Sequence, residues 1–205
     1  MEDTFEKIRN HVTTILGQEG SHGMDHVVRV TSLCRIIGAD EHADMAILIP
    51  AALLHDIARP VEKLRSVPHE MEGSRIAEQY LRSIHYDETR IPAIAGAIRT
   101  HRFRSNELPA TLEAKVLSDA DKLDAMGASG IARTFMRAAE YGGGIDDAVA
   151  HFHDKLLKLD RLMYTESGRR IAKTRHAFLI WFLDTLEEER GGSKSQVSDT
   201  IIPST

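Results

Sequence analysis

The sequence predicts an all-α protein folded as a single helical bundle. Three observations lead to this prediction. Apolar residues recur at intervals of three and four along most of the 205 residues, which is typical of amphipathic helices. We find no alternating apolar and polar run, bounded by turn residues, that would predict a strand. No internal repeat and no shift in composition divides the chain, so we expect one domain over 1–190 and a flexible tail over 191–205.

The first three helices are predicted at 3–17, 25–37 and 42–56. Apolar residues follow the helical period in the first two, and each ends at a glycine, Gly17 or Gly38. The third is almost wholly apolar from Met45 and contains Pro50. Because proline lacks a backbone N–H, it predicts a kink or a restart there.

Six further helices are predicted in the remainder of the chain. Proline stands near the starts of two of them, at Pro68 and Pro109, and glycine interrupts the pattern at Gly127 and Gly168. The predicted segments are 70–84, 88–101, 109–126, 128–141, 145–163 and 167–189.

The composition is that of an ordinary globular chain, with 42% apolar and 28% charged residues. A net charge of −5 argues against nucleic acid as a partner, because a phosphate-binding surface needs a basic excess. The longest apolar run, MAILIPAALL, is far shorter than the roughly 20 residues of a membrane span. The acidic N-terminus, MEDTFEK, is unlike a secretory signal. Cys34 is the only cysteine, which favours a reducing, cytoplasmic location.

Five predicted helices carry a side chain able to bind metal on the face that also carries their apolar residues. A single histidine in this position is more often a hydrogen-bonded core residue than a ligand. Asp56 and Asp121 change that interpretation, because burying an ionised carboxylate costs several kcal/mol unless a cation neutralises it. The inward side chains are His26, His55, His69, His101 and Asp121.

A divalent cation would satisfy both residue types, since it binds neutral imidazole and carboxylate together. His26, His55, Asp56 and Asp121 would supply four ligands and leave positions open for water and substrate. This is typical of a catalytic metal rather than a structural one. Such ligands suit manganese, iron, zinc, nickel or cobalt, and suit magnesium less well.

The ordered set of His26, His55-Asp56 and Asp121 resembles the HD-domain phosphohydrolase superfamily. SHGMDHVVRV (21–30), AALLHDIA (51–58), SDADKLDAMGASGIART (118–134) and HDKLLKLDRLMYTESGRRIAKTRHAFL (153–179) look like its small, stand-alone bacterial and archaeal hydrolases. The resemblance covers about residues 20–189. It implies an all-helical HD hydrolase domain with an interior site for one or two metal ions and a metal-dependent phosphohydrolase activity, usually on nucleotides.

The resemblance also implies roles for individual residues. The family's alanine-aspartate pair before leucine matches Ala120-Asp121, which assigns the metal role to Asp121. Asp119 and Asp124 could then orient a ligand histidine, and Asp119 or Asp25 could serve as base or position the attacking water. Several HD hydrolases have an acidic residue near the position of Arg59, so the usual base is in doubt here.

His69 and His101 match positions that hold a second metal in the two-metal branch of the family. That branch often has two adjacent histidines at the later position, whereas Arg102 follows His101 here. The alternative is that both histidines bind substrate phosphate. Cations are needed for the phosphoryl charge, and the substrate-binding candidates are Arg29, Lys122, Arg59 and Arg102, followed by Arg104 and Arg133.

The expected substrate is a small nucleotide or related phosphate ester, hydrolysed by a nucleoside triphosphate pyrophosphohydrolase or a nucleotidase. Three alternatives stay open: a two-metal phosphodiesterase, a di-iron oxygenase and a nucleotide sensor without turnover. Whether the chain forms a homo-oligomer is also open. The apolar last helix, with Phe178, Leu179, Trp181 and Phe182, suits either a core or an interface.

Overall fold

The computed structural model describes residues 2–17, 23–65, 67–102 and 107–191, and all regular structure in these ranges is helical. A 3₁₀ helix, Leu156–Leu162, separates the last two α-helices. The α-helices are α1 Glu2–Leu16, α2 Met24–Asp40, α3 Met45–Leu54, α4 Arg59–Arg65, α5 His69–Ser83, α6 Ile91–Thr100, α7 Leu112–Asp124, α8 Gly127–Glu140, α9 Ile145–Asp154 and α10 Glu166–Glu189.

The all-α prediction is confirmed, with two differences in the elements. The short helix α4 was not predicted, because seven residues are too few to show a helical period. The predicted helix over 145–163 is divided into α9 and the 3₁₀ helix, and Lys155 separates the two. The predicted tail over 191–205 lies, from residue 192 onward, outside the described residues.

The predicted restart at Pro50 is wrong, since α3 continues through it from Met45 to Leu54. Proline cannot donate the helical hydrogen bond to the carbonyl of Ala46. The hydroxyl of Tyr86 donates to that carbonyl instead, at 2.5 Å. A side chain from another segment therefore satisfies the group that Pro50 leaves without its helical partner, and the helix reaches His55 without interruption.

The helices pack around one apolar core, whose fully buried members include Ile37, Leu48, Leu54, Ile94 and Leu117. Helix α2 packs against α3 and α7, and α6 packs against α3, α5 and α7. Helix α10 covers α7 and α8. These contacts bring together the ends of α3, α5 and α6 and the inner faces of α2 and α7, where the candidate site lies.

The surface of the helices bears on two expectations, namely that α10 forms either a core or an interface and that no helix spans a membrane. Leu179 of α10 is buried in the core, whereas Trp181 is 54% exposed. Among the helices of the described ranges, none combines the length and the apolar character that crossing a membrane requires.

Candidate metal centre

Five separate elements place polar side chains in the middle of the bundle. His26 lies on α2, His55 and Asp56 follow directly after α3, His69 is the first residue of α5, and His101 follows α6. All five side chains are almost completely buried. Asp121 on α7 joins them but keeps 26% of its side-chain surface exposed. The cluster is therefore reached from outside on the Asp121 side.

His26 and His55 direct their Nε2 atoms toward each other, 3.1 Å apart. The orientation of each ring is fixed through its other nitrogen. His26 Nδ1 lies 2.7 Å from Asp124 Oδ2, and His55 Nδ1 lies 2.7 Å from the carbonyl oxygen of Ala52. Because these acceptors hold a proton on Nδ1, the neutral form of either ring presents the Nε2 lone pair to the cluster.

The rings of His69 and His101 are also oriented through their Nδ1 atoms. His101 Nδ1 donates to the carbonyl oxygen of Ile98 at 2.6 Å, and His69 Nδ1 lies 3.0 Å from Glu62 Oε1. His69 Nε2 is buried without a hydrogen-bond partner among the described residues. A buried polar atom without a partner is costly, so this nitrogen is suited to a ligand that the protein itself does not supply.

The carboxylate of Asp56 lies between the two pairs of histidines. Its Oδ2 atom is 3.5 Å from His26 Nε2 and 3.8 Å from His55 Nε2. Its Oδ1 atom is 3.3 Å from His69 Nε2 and 3.8 Å from His101 Nε2. Each oxygen therefore faces a different pair, which is the arrangement that a carboxylate bridging two cations would need.

The histidines have opposite electrostatic environments. Burial, together with the charges of His26 and His101, lowers the pKa of His55 to about 4 despite the opposing charge of Asp56. Burial also opposes a charge on His26, but hydrogen bonds with Asp121, Asp124 and Asp56 outweigh it and raise its pKa to about 10. In the protein without a cation, a proton on His26 thus offsets part of the negative charge of the surrounding carboxylates.

Asp121 is ionised in this environment. Burial disfavours its charged form, but the hydrogen bond and charge of His26 outweigh this effect and hold the pKa of Asp121 well below its usual value. Asp121 Oδ1 lies 3.4 Å from His26 Nε2. The cluster therefore combines two carboxylates with histidine nitrogens directed at a common point.

Asp124, one turn after Asp121, supports His26 from behind. Besides its contact with His26, it accepts a hydrogen bond from Arg29 Nε at 2.6 Å and another from Arg133 Nη1. Burial opposes its ionisation, but the hydrogen bonds from His26 and Arg29 lower its pKa to about 2. The structure thus shows the contact that sequence reasoning expects of a carboxylate that orients a ligand histidine.

The cations near the cluster are mostly engaged by carboxylates. Arg59 donates to Asp56 Oδ1 and to Glu62 Oε2, both at 2.9 Å. Arg102 lies 3.3 Å from Glu70 Oε2 and is 40% exposed. Arg59 thus stands, bound to Asp56, where several HD hydrolases have an acidic residue. Arg104 lies outside the described residues.

Glu62 and Glu70, which surround His69 Nδ1 at 3.0 and 3.3 Å, are the site residues that sequence reasoning missed. Glu62 lies on the unpredicted helix α4, and Glu70 follows His69 directly. Their positions relative to His69 could have indicated this role. Glu62 is seven residues before His69, which is two turns in a helical segment.

The contacts of Asp119 and Asp25 do not match the expectation that one of them serves as a base near the cluster. Asp119 is fully buried, and its carboxylate accepts hydrogen bonds from the backbone N–H groups of Tyr164 and Thr165 and from the Thr165 hydroxyl, at 2.8–3.0 Å. Asp25 is 74% exposed and forms an ion pair with Arg29. Lys122 Nζ is buried and donates to Ser118 Oγ at 2.8 Å.

The residues fit a divalent cation by their chemistry. His26, His55 and Asp121 each offer one ligand atom, and the three atoms lie within 4.8 Å of one another; the same holds for His55, Asp56 and His101. Imidazole nitrogens and carboxylate oxygens are common ligands of divalent transition metals. Both groups of side chains could therefore hold a metal ion, and they share His55.

Comparisons with known proteins agree with this geometry. Residues 23–126 match the family model described as HD domain. Over 204 residues the chain is 36% identical to the uncharacterized protein YpgQ of Bacillus subtilis, covering 94% of this chain and 97% of YpgQ. The chain belongs to the HD-domain family. Its match includes His26, His55, Asp56 and Asp121, the residues that carry the resemblance in the sequence.

Solved HD structures have the same fold. The crystal structure of B. subtilis YpgQ in complex with ADP has a TM-score of 0.76 and 31% identity, covering 91% of this chain and 95% of that one. A predicted HD superfamily hydrolase from an uncultured Thermotogales bacterium has a TM-score of 0.70 and 31% identity, covering 91% and 92%. Ribonuclease Y of Desulforudis audaxviator is 30% identical over 106 residues, which are 52% of this chain and 19% of that protein. The chain is therefore an HD-superfamily hydrolase by family and by fold.

Proposed function

We propose that this HD domain is a metal-dependent phosphohydrolase of a nucleotide or related phosphate ester, most simply a nucleoside triphosphate pyrophosphohydrolase or a nucleotidase. The observation that supports it is that His55 Nε2, Asp56 Oδ2 and Asp121 Oδ1 all lie within 3.5 Å of His26 Nε2. Without a cation, Arg59 pairs with Asp56 and the proton on His26 pairs with Asp121, but these contacts leave the buried Nε2 atom of His69 without a hydrogen-bond partner among the described residues.

His26, His55, Asp56 and Asp121 would hold the cation. When bound, such a cation supplies Lewis-acid polarisation of a phosphoryl oxygen and lowers the pKa of water toward about 7. Manganese, iron, nickel, cobalt and zinc suit these ligands better than magnesium, which prefers oxygen ligands. The partial exposure of Asp121 leaves this side of the site open to substrate.

We also propose a second cation position, formed by His69, His101 and Asp56 Oδ1. His101 already donates its Nδ1 proton to Ile98, and His69 is directed to Glu62 in the same way. The neutral rings then present lone pairs, which bind a metal, whereas a phosphate oxygen would need an N–H donor. The same geometry would suit a two-metal phosphodiesterase, and the match to Ribonuclease Y favours keeping that second candidate.

The chain's own residues hold and orient the reacting groups. Arg29 and Arg133 act through Asp124 on the orientation of His26, and Arg59 neutralises Asp56. This leaves Lys122 and Arg102 as the candidates for contact with substrate phosphate. For Asp119 we favour a structural role, and for Asp25 a place on the surface, because neither carboxylate contacts the metal ligands in the described structure.

The proposal that the substrate is a nucleotide is supported by the YpgQ crystal structure, which contains ADP. A di-iron oxygenase would need two iron ions and oxygen-dependent turnover, which metal analysis and anaerobic assay would reveal. A nucleotide sensor would bind nucleotides and release no product, whichever divalent metal is supplied. Arg59, in place of an acidic residue, is the feature that keeps the sensor alternative open.

The function is tested by assaying nucleoside mono-, di- and triphosphates with Mn²⁺ and detecting phosphate and pyrophosphate separately. We expect one class of nucleotide to be hydrolysed by the wild type. His55→Ala and Asp56→Ala should abolish this activity while circular dichroism shows the helical fold intact. His153→Ala, at an exposed histidine of α9, is the matched control and should keep full activity. Full activity in either site variant would rule out the metal centre as drawn.

A further inference from the structure

A cavity of about 360 Å³ lies next to the candidate metal centre, between the end of α6, the middle of α7 and the segment that precedes α10. Two of its lining residues, Thr100 and Arg102, flank His101, and another, Lys122, directly follows Asp121. The comparisons assign no role to this cavity. Its volume lies within the range of roughly 300–1,000 Å³ that is typical of small-molecule sites.

The polar part of the cavity is tied to His101. Lys122 Nζ donates to Ser118 Oγ at 2.8 Å, and Ser118 Oγ donates to the carbonyl oxygen of His101 at 3.0 Å. Lys122 Nζ also lies 3.6 Å from Asp119 Oδ1. A buried ammonium group is thus held at one fixed place between the cavity and the candidate metal ligands.

The charges along the cavity favour an anionic ligand. Arg161 is exposed and forms no ion pair with the described residues. The carboxylate of Glu107 is engaged by Arg99 Nε at 3.0 Å, which leaves little negative charge facing the cavity. Arg161 therefore adds positive charge that no carboxylate of the described residues offsets, whereas Asp119 lies beside Lys122 and Glu70 beside Arg102.

The remaining wall is apolar and aromatic, formed by Leu108, Pro109, Leu162, Met163 and the ring of Tyr164. Lys122 Nζ lies 4.4 Å from the centre of the Tyr164 ring, which holds that ring beside the polar floor. Inorganic phosphate has no apolar surface that could pack against such a wall. A flat aromatic base could stack on the Tyr164 ring, because all bases stack on aromatic side chains.

We propose that this cavity binds the nucleoside end of a nucleoside polyphosphate whose phosphates lie at the candidate metal centre. This subsite rests on the proposed function for the position of the phosphates, but its own evidence is the cavity. Tyr164 contacts the base, and Arg161 and Lys122 donate hydrogen bonds to the ribose and the nearest phosphate. The substrate class is then nucleotides rather than phosphate esters in general.

The test compares two probes that differ only in the nucleoside: α,β-methylene-ADP and methylenediphosphonate, both titrated calorimetrically with Mn²⁺ present. Tyr164→Leu should raise the dissociation constant of α,β-methylene-ADP about tenfold, the size expected for one lost base stack. Arg161→Gln should raise it about fivefold, since a charged hydrogen bond is lost at an exposed position. Neither substitution should raise the dissociation constant of methylenediphosphonate by more than about twofold, because this probe has no nucleoside.

Tyr164→Phe keeps the aromatic ring and should bind α,β-methylene-ADP as the wild type does, and Arg35→Gln is a control at an exposed arginine outside the cavity. Wild-type affinity in both Tyr164→Leu and Arg161→Gln would overturn the subsite, as would an equal loss for both probes. Turnover separates the two proposals. Binding that depends on Tyr164 without any product overturns the hydrolase alone, whereas turnover with an unchanged KM in both variants overturns the subsite alone.

Discussion

At the scale of single residues, the candidate centre depends on the second nitrogen of each histidine. Asp124, Glu62 and the carbonyl oxygens of Ala52 and Ile98 each hold one Nδ1 atom. Such partners fix the tautomer and the orientation of a ligand ring, so they contribute to metal affinity without touching the metal. Asp124 is the strongest case, because two arginines fix it in turn.

We expect Asp124→Asn to weaken metal binding by about 10- to 100-fold. The substitution keeps the shape of the side chain but removes the charge that fixes the His26 ring and pairs with Arg29 and Arg133. Calorimetric titration with Mn²⁺ measures the effect. Asp40→Asn, on an exposed ion pair with Arg170, should change the affinity less than twofold. An Asp124→Asn protein with wild-type affinity would show that this contact does not support the metal centre.

The identities of the inward residues could be predicted from the sequence, but most of their contacts could not. His26, His55 and Asp121 lie on apolar faces, and helical periodicity reveals such faces. By contrast, the ion pair of Arg59 with Asp56 depends on the direction the chain takes after α3. The Tyr164 ring reaches Lys122 only because α10 packs on α7. Neither contact leaves a periodic signal in the sequence.

At the scale of secondary-structure elements, Asp119 joins α7 to the start of α10. Its two oxygens accept hydrogen bonds from the 164–165 segment, and the Thr165 hydroxyl also caps α10 by accepting from the Gly168 N–H at 3.0 Å. A Cβ atom on Gly168 would lie only 2.6 Å from Asp119 Oδ2, so glycine is needed at this crossing. The sequence places Asp119 two residues before Asp121 and therefore suggests a catalytic role, but the contact with α10 accounts for its burial.

Asp119→Ala should lower the free energy of unfolding by about 3 kcal/mol, because it leaves several buried donors without an acceptor. Denaturant unfolding followed by circular dichroism measures this loss. Asp154→Ala, at an exposed position of α9, should stay within about 0.5 kcal/mol of the wild type. If Asp119→Ala lost activity at unchanged stability, Asp119 would return to the role of base or water-positioning residue.

At the scale of the whole molecule, the bundle holds together residues that are far apart in the sequence; His26 and Asp124 are separated by 98 positions. A cation bound by α2, α7 and the segment after α3 would therefore link elements that must separate on unfolding. Because a ligand that binds only the folded state stabilises it, metal binding and global stability should be coupled.

Mn²⁺ at 100 times its dissociation constant should add about 2.7 kcal/mol to the free energy of unfolding. For a chain of this size that corresponds to a rise in Tm of about 5–10 °C. Differential scanning calorimetry of the metal-depleted protein, with and without Mn²⁺, measures the shift. Asp56→Ala should lose it and His153→Ala should keep it. An equal shift in wild type and Asp56→Ala would place the bound ion elsewhere.

Anomalous diffraction from crystals of the wild-type protein soaked in Mn²⁺, measured at the manganese absorption edge, would locate the bound ion. We expect an anomalous peak within ligand distance of His26 Nε2, His55 Nε2, Asp56 and Asp121. A second peak beside His69 and His101 would establish the second position as well. Crystals that hold manganese elsewhere, with no peak among these four side chains, would show that His26, His55, Asp56 and Asp121 do not form the metal centre.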